Sequence, residues 1–311
     1  MEFSLRHFSP SFEDSMLSLE HLAGLLDENR AAAAAKVREF AIGDRFFAFN
    51  SDPAIMGVVN LSPDSWYRES VCLTSEKAVE RGKILAAQGA SIIDVGAEST
   101  LAHAARQDED SQKGKMLPVV RDLAAANLIV SVETYQKEVA RAALEAGAKI
   151  INLTGTDDAP EIFAMAAAHE AAVIICYVQG RNVREVGDFN AKDVLPAMTD
   201  YFSRFGDLAA KKGLEKILID PGLGFYYRNL QDSSVRVRHQ MTTFLQTFRL
   251  RTLGFPVCHA LPHAFEYFGE EVRCAEPFFA VLAALGKTDL FRTHEVPRIK
   301  AVLDTLKVYE T

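Results

Sequence analysis

The stretch 131–155, SVETYQKEVARAALEAGAKIINLTG, holds one complete strand–helix–strand unit, and the way it is read decides the fold. SVET closes an apolar run that begins at Ile129. YQKEVARAALEAGA is dense in Ala, Leu, Glu and Lys, the residues that lose least on entering a helix. Gly147 supplies the left-handed residue that commonly ends a helix, and Lys149-Ile150-Ile151 then resumes as a buried strand. That strand carries Asn152 and turns on Gly155. Asn152 is either a strand-end residue satisfying its own turn or a side chain aimed at something held above the strand.

The unit repeats along the chain. Strand-length runs rich in Ile and Val lie at Ile55–Asn60, Ser91–Gly96, Ile129–Thr134, Lys149–Gly155, Ala172–Val178, Lys216–Gly222, Phe255–Leu261 and Leu290–Val296. They lack the polar alternation of a half-exposed antiparallel sheet, so both faces of each strand are expected to be covered. Helix-length segments separate them, and AQGASIID repeats the helix–Gly–strand punctuation at Gly89. Eight such units in succession predict a closed (β/α)8 barrel of the TIM type. An open doubly wound sheet is the competing architecture, but no GxGxxG follows the first strand.

Ahead of the barrel, 16–40 reads as one or two extra helices. FAIGDRFFAFNSD then suits a β-hairpin around a Gly-Asp turn, placed to plug the barrel's N-terminal face. The expected division is 1–53 for this N-terminal extension and 54–311 for the barrel. Residues 1–15 read as irregular.

Composition narrows the function classes. Hydrophobic residues make up 49% and charged residues 24%, ordinary proportions for a soluble globular chain. A net charge of −8 argues against general nucleic-acid binding, which needs clustered Lys and Arg. Cys72, Cys176, Cys258 and Cys274 are scattered without metal-ligand spacing. The N-terminus lacks an apolar signal-peptide core, and no run is long enough to span a membrane, so a cytoplasmic location is expected.

In a TIM barrel the chemistry sits at the C-terminal ends of the strands. Those ends supply Asn60, then Asp94, Glu98, Ser99 and Thr100, then Glu133 and Thr134, then Asn152. Tyr177 and Gln179, Asp220, His259 and His263, and Arg292 and His294 follow. Any one of them has a bland explanation as a turn cap. Together they form a rim of donors and acceptors. Glu133, Asn152 and Asp220 suit a heterocycle with amide and amino edges, and Arg292 and His294 suit an anion.

Seven motifs carry a resemblance: IMGVVNLSPDSW, GASIIDVGAEST, SVETY, AGAKIIN, LIDPGLGF, LGFPV and FRTHEV. Their order and spacing over roughly 54–300 resemble those of dihydropteroate synthase. That family has an eight-stranded α/β barrel and joins a dihydropterin pyrophosphate to p-aminobenzoate with the help of Mg²⁺. The resemblance implies that Asn152 and Asp220 hold the pterin edge, with Glu133 at a pterin contact where the family has Asp. It places Asn60 near Mg²⁺ and pyrophosphate, Thr100, Arg292 and His294 on pyrophosphate, and Asp220, Arg292 and His294 in the catalytic set. Homodimers are common in the family, and the apolar helix EPFFAVLAALG offers either such an interface or ordinary packing on the barrel.

The chain also departs from the family's pattern. Leu101 stands where an Arg follows GEST, Pro262-His263-Ala264 replaces Ser-Arg-Lys, and Leu153 replaces an acid after Asn152. The lysine that the family has soon after DPGxGF is replaced within Tyr226-Tyr227-Arg228, where Arg228 could supply charge. The pterin side is retained while the amine side is rewritten. The resemblance implies a dihydropteroate synthase-like transferase. The alternative is a pterin-binding paralogue that has lost this activity, using another acceptor or serving as a non-catalytic partner subunit.

Overall fold

The structure is a computed structural model that describes residues 17–62, 70–98, 107–183, 185, 194–223, 230 and 232–309. Two short helices come first, α1 (Leu19–Glu28) and α2 (Arg30–Ala33), followed by the hairpin β1 (Phe40–Ile42) and β2 (Arg45–Phe47). Ser18 caps α1 by accepting from the backbone N–H of His21, and Gly43 turns the hairpin at a φ of +57°.

The barrel strands are β3 (Ala54–Asn60), β4 (Ile92–Gly96), β5 (Val130–Thr134), β6 (Ile150–Leu153), β7 (Ala172–Cys176), β8 (Ile217–Asp220), β9 (Cys258–Ala260) and β10 (Leu290–Thr293). All their ladders are parallel, in the order β8-β7-β6-β5-β4-β3-β10-β9. The outer strands of that order meet through a parallel bridge between Ile219 and Val257, which closes the cylinder. Seven of these strands fall inside the run expected from sequence, and β3 begins one residue earlier, at Ala54.

Between the strands lie α3 (Ser75–Ala87), α4 (Glu109–Ala125), α5 (Lys137–Glu145), α6 (Ala159–Ala168), α7 (Val194–Lys211), α8 (Ser233–Leu245), α9 (Thr247–Leu250), α10 (Phe265–Phe268) and α11 (Ala275–Leu285). Helix α12 (Val296–Lys307) follows the last strand. The expected helix ending at Gly147 is α5, where Gly147 has a φ of +108° just beyond the last turn.

Strand periodicity splits the core in two. Outward residues such as Ile93, Val95, Val132, Ile151, Val173, Ile219 and Phe291 pack under the helices. Inward residues Met56, Ile92, Ile150, Ile174, Leu218 and Leu290 pack instead with Val37, Ile42, Phe47 and Phe49. The hairpin therefore plugs the barrel's N-terminal end, as its aromatic pattern predicted. Arg251 secures this end, reaching Asp289 at 3.1 Å and Asn50 at 3.0 Å.

With one end filled by apolar side chains, the inward positions nearer the C-terminal ends are left for polar ones. Close packing between helices sets some glycines. A Cβ on Gly286, just past α11, would lie 1.8 Å from the Phe244 carbonyl oxygen on α8. Among the described residues, no helix is long and apolar enough to cross a membrane.

Candidate active site

The inward polar residues converge at the C-terminal mouth. Asp94 on β4 is fully buried and lies between neighbours on both sides of the barrel. Its Oδ1 accepts from the Ser131 hydroxyl at 2.6 Å, and its Oδ2 accepts from Asn152 Nδ2 at 3.2 Å and from Arg292 Nε at 2.7 Å. Arg292 also donates to Glu133. Cys176, at the end of β7, donates its thiol to Asn152 Oδ1 at 3.4 Å. Asp220, ending β8, accepts from the Gly222 N–H at 2.7 Å.

Asn152 is thus not a turn cap. It bridges Asp94 and Cys176 within the barrel floor, and both ends of its amide are fixed. Thr134 shows the opposite outcome, since its hydroxyl accepts from the Gln136 N–H at 3.0 Å and caps its own turn.

Burial governs the ionisation of this floor. It pushes the Glu133 carboxyl up to about 7, with Arg292 pulling it down and Asp94 and Asp220 adding to the rise. Asp220 is pushed up to about 6 by burial, against the opposing Gly222 N–H and the Arg292 charge. Arg292 is held protonated: burial works against its charge, and Glu133 and Asp94 more than offset that. The floor therefore presents carboxyl groups able to switch between donor and acceptor near neutral pH, beside a permanent cation.

A second cluster adjoins the first. Asn60 Nδ2 donates to the Ser70 hydroxyl at 2.6 Å and lies 3.5 Å from His294 Nε2. His294 Nδ1 faces Glu276 Oε1 at 2.9 Å, and His263 Nε2 lies 3.0 Å from the same oxygen. The other carboxylate oxygen, Oε2, accepts from the Thr293 hydroxyl and from the N–H groups of His294 and Glu295 at 3.1 and 3.2 Å. Burial would raise the Glu276 carboxyl, but hydrogen bonds from both imidazoles hold it well below the usual range.

The structure thus brings together Asn60, Glu133, Asn152, Asp220, Arg292 and His294. Thr100, Leu101 and Tyr226-Tyr227-Arg228 lie outside the described residues. His259 is not part of the mouth. Its side chain points outward, packs on Phe244 with ring centroids 4.8 Å apart, and sits 2.7 Å from the Thr247 hydroxyl. Burial drops its imidazole to about 3, so it is a neutral core residue.

Sequence reasoning placed Asp94 on the rim without giving it a role, and left out Cys176 and Glu276. An acid inside the apolar run SIIDVG was a legible sign for Asp94. Nothing local in the sequence separates Cys176 from a small buried hydrophobe, or Glu276 from an ordinary acid at the start of an apolar helix.

Comparison with known proteins matches residues 56–260 to the family of pterin binding enzymes. The chain belongs to the dihydropteroate synthase family. It is 31% identical over 276 residues to the dihydropteroate synthase of Streptococcus pyogenes serotype M6, covering 84% of this chain and 98% of that protein. The enzyme of that name from Synechocystis is 29% identical over 269 residues, covering 82% of this chain and 89% of its own length. The solved structure of Xanthomonas albilineans dihydropteroate synthase with 4-aminobenzoic acid is 27% identical. It superimposes with a TM-score of 0.75, covering 89% of this chain and all of that one.

Within the dihydropteroate synthase family, the departures noted in sequence take on a structural form here. His263, in place of the family's Arg, is buried against Glu276 and does not extend into solvent. Leu153, in place of an acid, is a buried member of the outer core. Glu133, longer than Asp by one methylene, reaches Arg292.

Proposed function

We propose that the protein is a dihydropteroate synthase-type transferase, a soluble cytoplasmic enzyme of folate biosynthesis that joins a 6-hydroxymethyl-dihydropterin diphosphate to 4-aminobenzoate. The observation that supports this most directly is the barrel floor of Glu133, Asn152 and Asp220, tied through Asp94 and Arg292. A pterin presents an amino group, a ring N–H and a carbonyl along one edge. Asp220 and Glu133 supply acceptors for the first two, and a carboxyl titrating near neutrality also donates to a carbonyl. Asn152, held by Asp94 and Cys176, offers a preset amide to the same edge.

In the reaction the bond between the pterin methylene and the diphosphate oxygen breaks, and the diphosphate leaves with the electron pair. The amine nitrogen attacks the methylene and then loses a proton. The protein's task is to hold the ring, stabilise the departing negative charge and keep the amine in line. Arg292, on the floor beside Asp94, and His294, beside Asn60, would supply the groups that face this charge.

Mg²⁺ is part of this proposal. It is usually held by few protein oxygens and several substrate phosphate oxygens, and the Asn60 amide oxygen fits that sparse role. When bound, the ion would neutralise the diphosphate as it leaves.

Assembly is proposed as a homodimer using the outer face of α11, where Phe278 and Leu285 are exposed. Light scattering would find a monomer if that is wrong.

The deciding experiment supplies purified protein with the dihydropterin diphosphate, 4-aminobenzoate and Mg²⁺ and measures dihydropteroate and diphosphate together. Equal release of both is expected. No product above the protein-free background removes the proposal. Calorimetry with the pterin alone then separates a chain that binds pterin from one that does not.

A further inference from the structure

We propose that His263, Glu276 and His294 form a site for a divalent transition-metal ion at the barrel mouth, of the 2-His-1-carboxylate kind that suits Fe²⁺, Mn²⁺ or Co²⁺. The metal site is argued from its own geometry. Its use as the cation facing the substrate diphosphate rests on the transferase reading above.

The ligand atoms are already gathered. One nitrogen from each imidazole and one oxygen of Glu276 lie within 4.8 Å of one another. His263 Nε2 and His294 Nδ1 are 3.0 and 2.9 Å from the shared oxygen. Adjacent positions on an octahedral ion with bonds of about 2.1 Å are about 3.0 Å apart, whereas a tetrahedral ion asks for about 3.4 Å. Both nitrogen–oxygen spacings suit adjacent positions on an octahedral ion, which with three protein ligands keeps its remaining positions open.

The carboxylate is prepared for such a role. Oε2 is occupied by the Thr293 hydroxyl and the His294 and Glu295 N–H groups. These fix the orientation of the group and leave Oε1 directed at both rings, the arrangement by which outer partners orient a metal ligand. Glu276 has no exposed surface, and buried charges persist in folds when they are paired or bind metal. His294 Nε2, the nitrogen turned away from Glu276, lies 3.5 Å from the Asn60 amide nitrogen, which helps to orient the ring. Nitrogen ligands also separate this site from the oxygen-only preference of Mg²⁺.

Charge balance at the mouth gives the ion a use. Asp94, Glu133, Asp220 and Glu276 all lie there, and the Arg292 guanidinium is already held by Asp94 and Glu133. An incoming diphosphate meets an acidic floor and a cation already shared with two carboxylates. A metal ion beside Asn60 supplies uncommitted positive charge where the leaving group develops its own.

The test uses the full chain without added histidines, stripped by a chelator and titrated with Co²⁺ alone at neutral pH. One ion per chain is expected, with the weak visible absorption of an octahedral site. His263→Ala and His294→Ala should each weaken binding at least tenfold, while His169→Ala, a histidine at the end of α6, leaves it unchanged. Circular dichroism checks that each variant is folded, and His263→Gln gives a second chance if the Ala variant is not.

Wild-type binding no tighter than that of the His263 and His294 variants overturns the site. A second arm measures inorganic pyrophosphate affinity with and without Mn²⁺. Tighter binding with the ion in wild type but not in His263→Ala is expected, and no effect of Mn²⁺ removes the link to diphosphate. Neither arm measures turnover, so failure of the transferase reaction and failure of the metal site are separate results.

Discussion

Replacing Asp220 with Asn should stabilise the folded protein at pH 8 and at the same time weaken its hold on a pterin. Asp220 ends β8 with only 4% of its surface exposed, and burial raises its carboxyl from 3.8 to about 6. The folded chain therefore keeps this proton more tightly than the unfolded chain does. Below pH 3.8 both states are protonated and the group costs nothing. Between pH 3.8 and 6 the unfolded chain loses its proton first, so stability falls as pH rises, and above pH 6 the full cost remains.

A difference of about two pH units is worth about 3 kcal/mol at pH 8. The same linkage leaves about half of that at pH 5 and little of it at pH 4. Asn carries no such cost, has nearly the same shape and still accepts from the Gly222 N–H through Oδ1. Urea denaturation of wild type and Asp220→Asn at pH 8, 5 and 4 should show the variant's advantage shrinking in that order. Calorimetry at pH 8 should show pterin affinity reduced at least tenfold, the scale of losing a charged hydrogen bond. A variant less stable than wild type at pH 8, or an advantage that does not change with pH, would refute the reasoning.

Arg292→Met removes the cation from fully buried Asp94, which should cost about 3–5 kcal/mol in urea denaturation. Restoring stability by adding Asp94→Asn would locate the loss in that pair. His259, kept neutral by burial with its value lowered from 6.5 to about 3, gives stability that is complete above pH 6.5 and lost as pH falls toward 3. His259→Gln should therefore flatten the acid limb of the stability profile, and an unchanged limb would count against it. Gly286→Ala drives a methyl into the Phe244 carbonyl and should lower stability by more than about 2 kcal/mol, read as a drop in melting temperature.

The contrast between Asn152 and His259 shows where sequence is informative. Both are polar residues in apolar strands. Asn152 shares the inward face with Ile150, while His259 has the opposite parity to Cys258 and Ala260, whose side faces the barrel interior. In a strand covered on both faces, polarity alone does not say which side a residue occupies. Only closure of the cylinder assigns inside and outside, because successive side chains point oppositely.

What the chain determined by itself is what depends on neighbours a few residues apart. Strand-length Ile and Val runs, the helix ending before Gly147 and the aromatic hairpin all follow from local periodicity, and together they dictated the barrel and its plugged end. The polar strand ends were legible for the same reason. The pairings among them were not. Asp94 meets Arg292 across 198 positions of sequence, and Glu276 on α11 gathers His263 and His294 from the loops after β9 and β10. Those contacts exist because closing the barrel brings every strand end to one mouth. There, burial without water makes each carboxyl depend on which partner the fold has set against it.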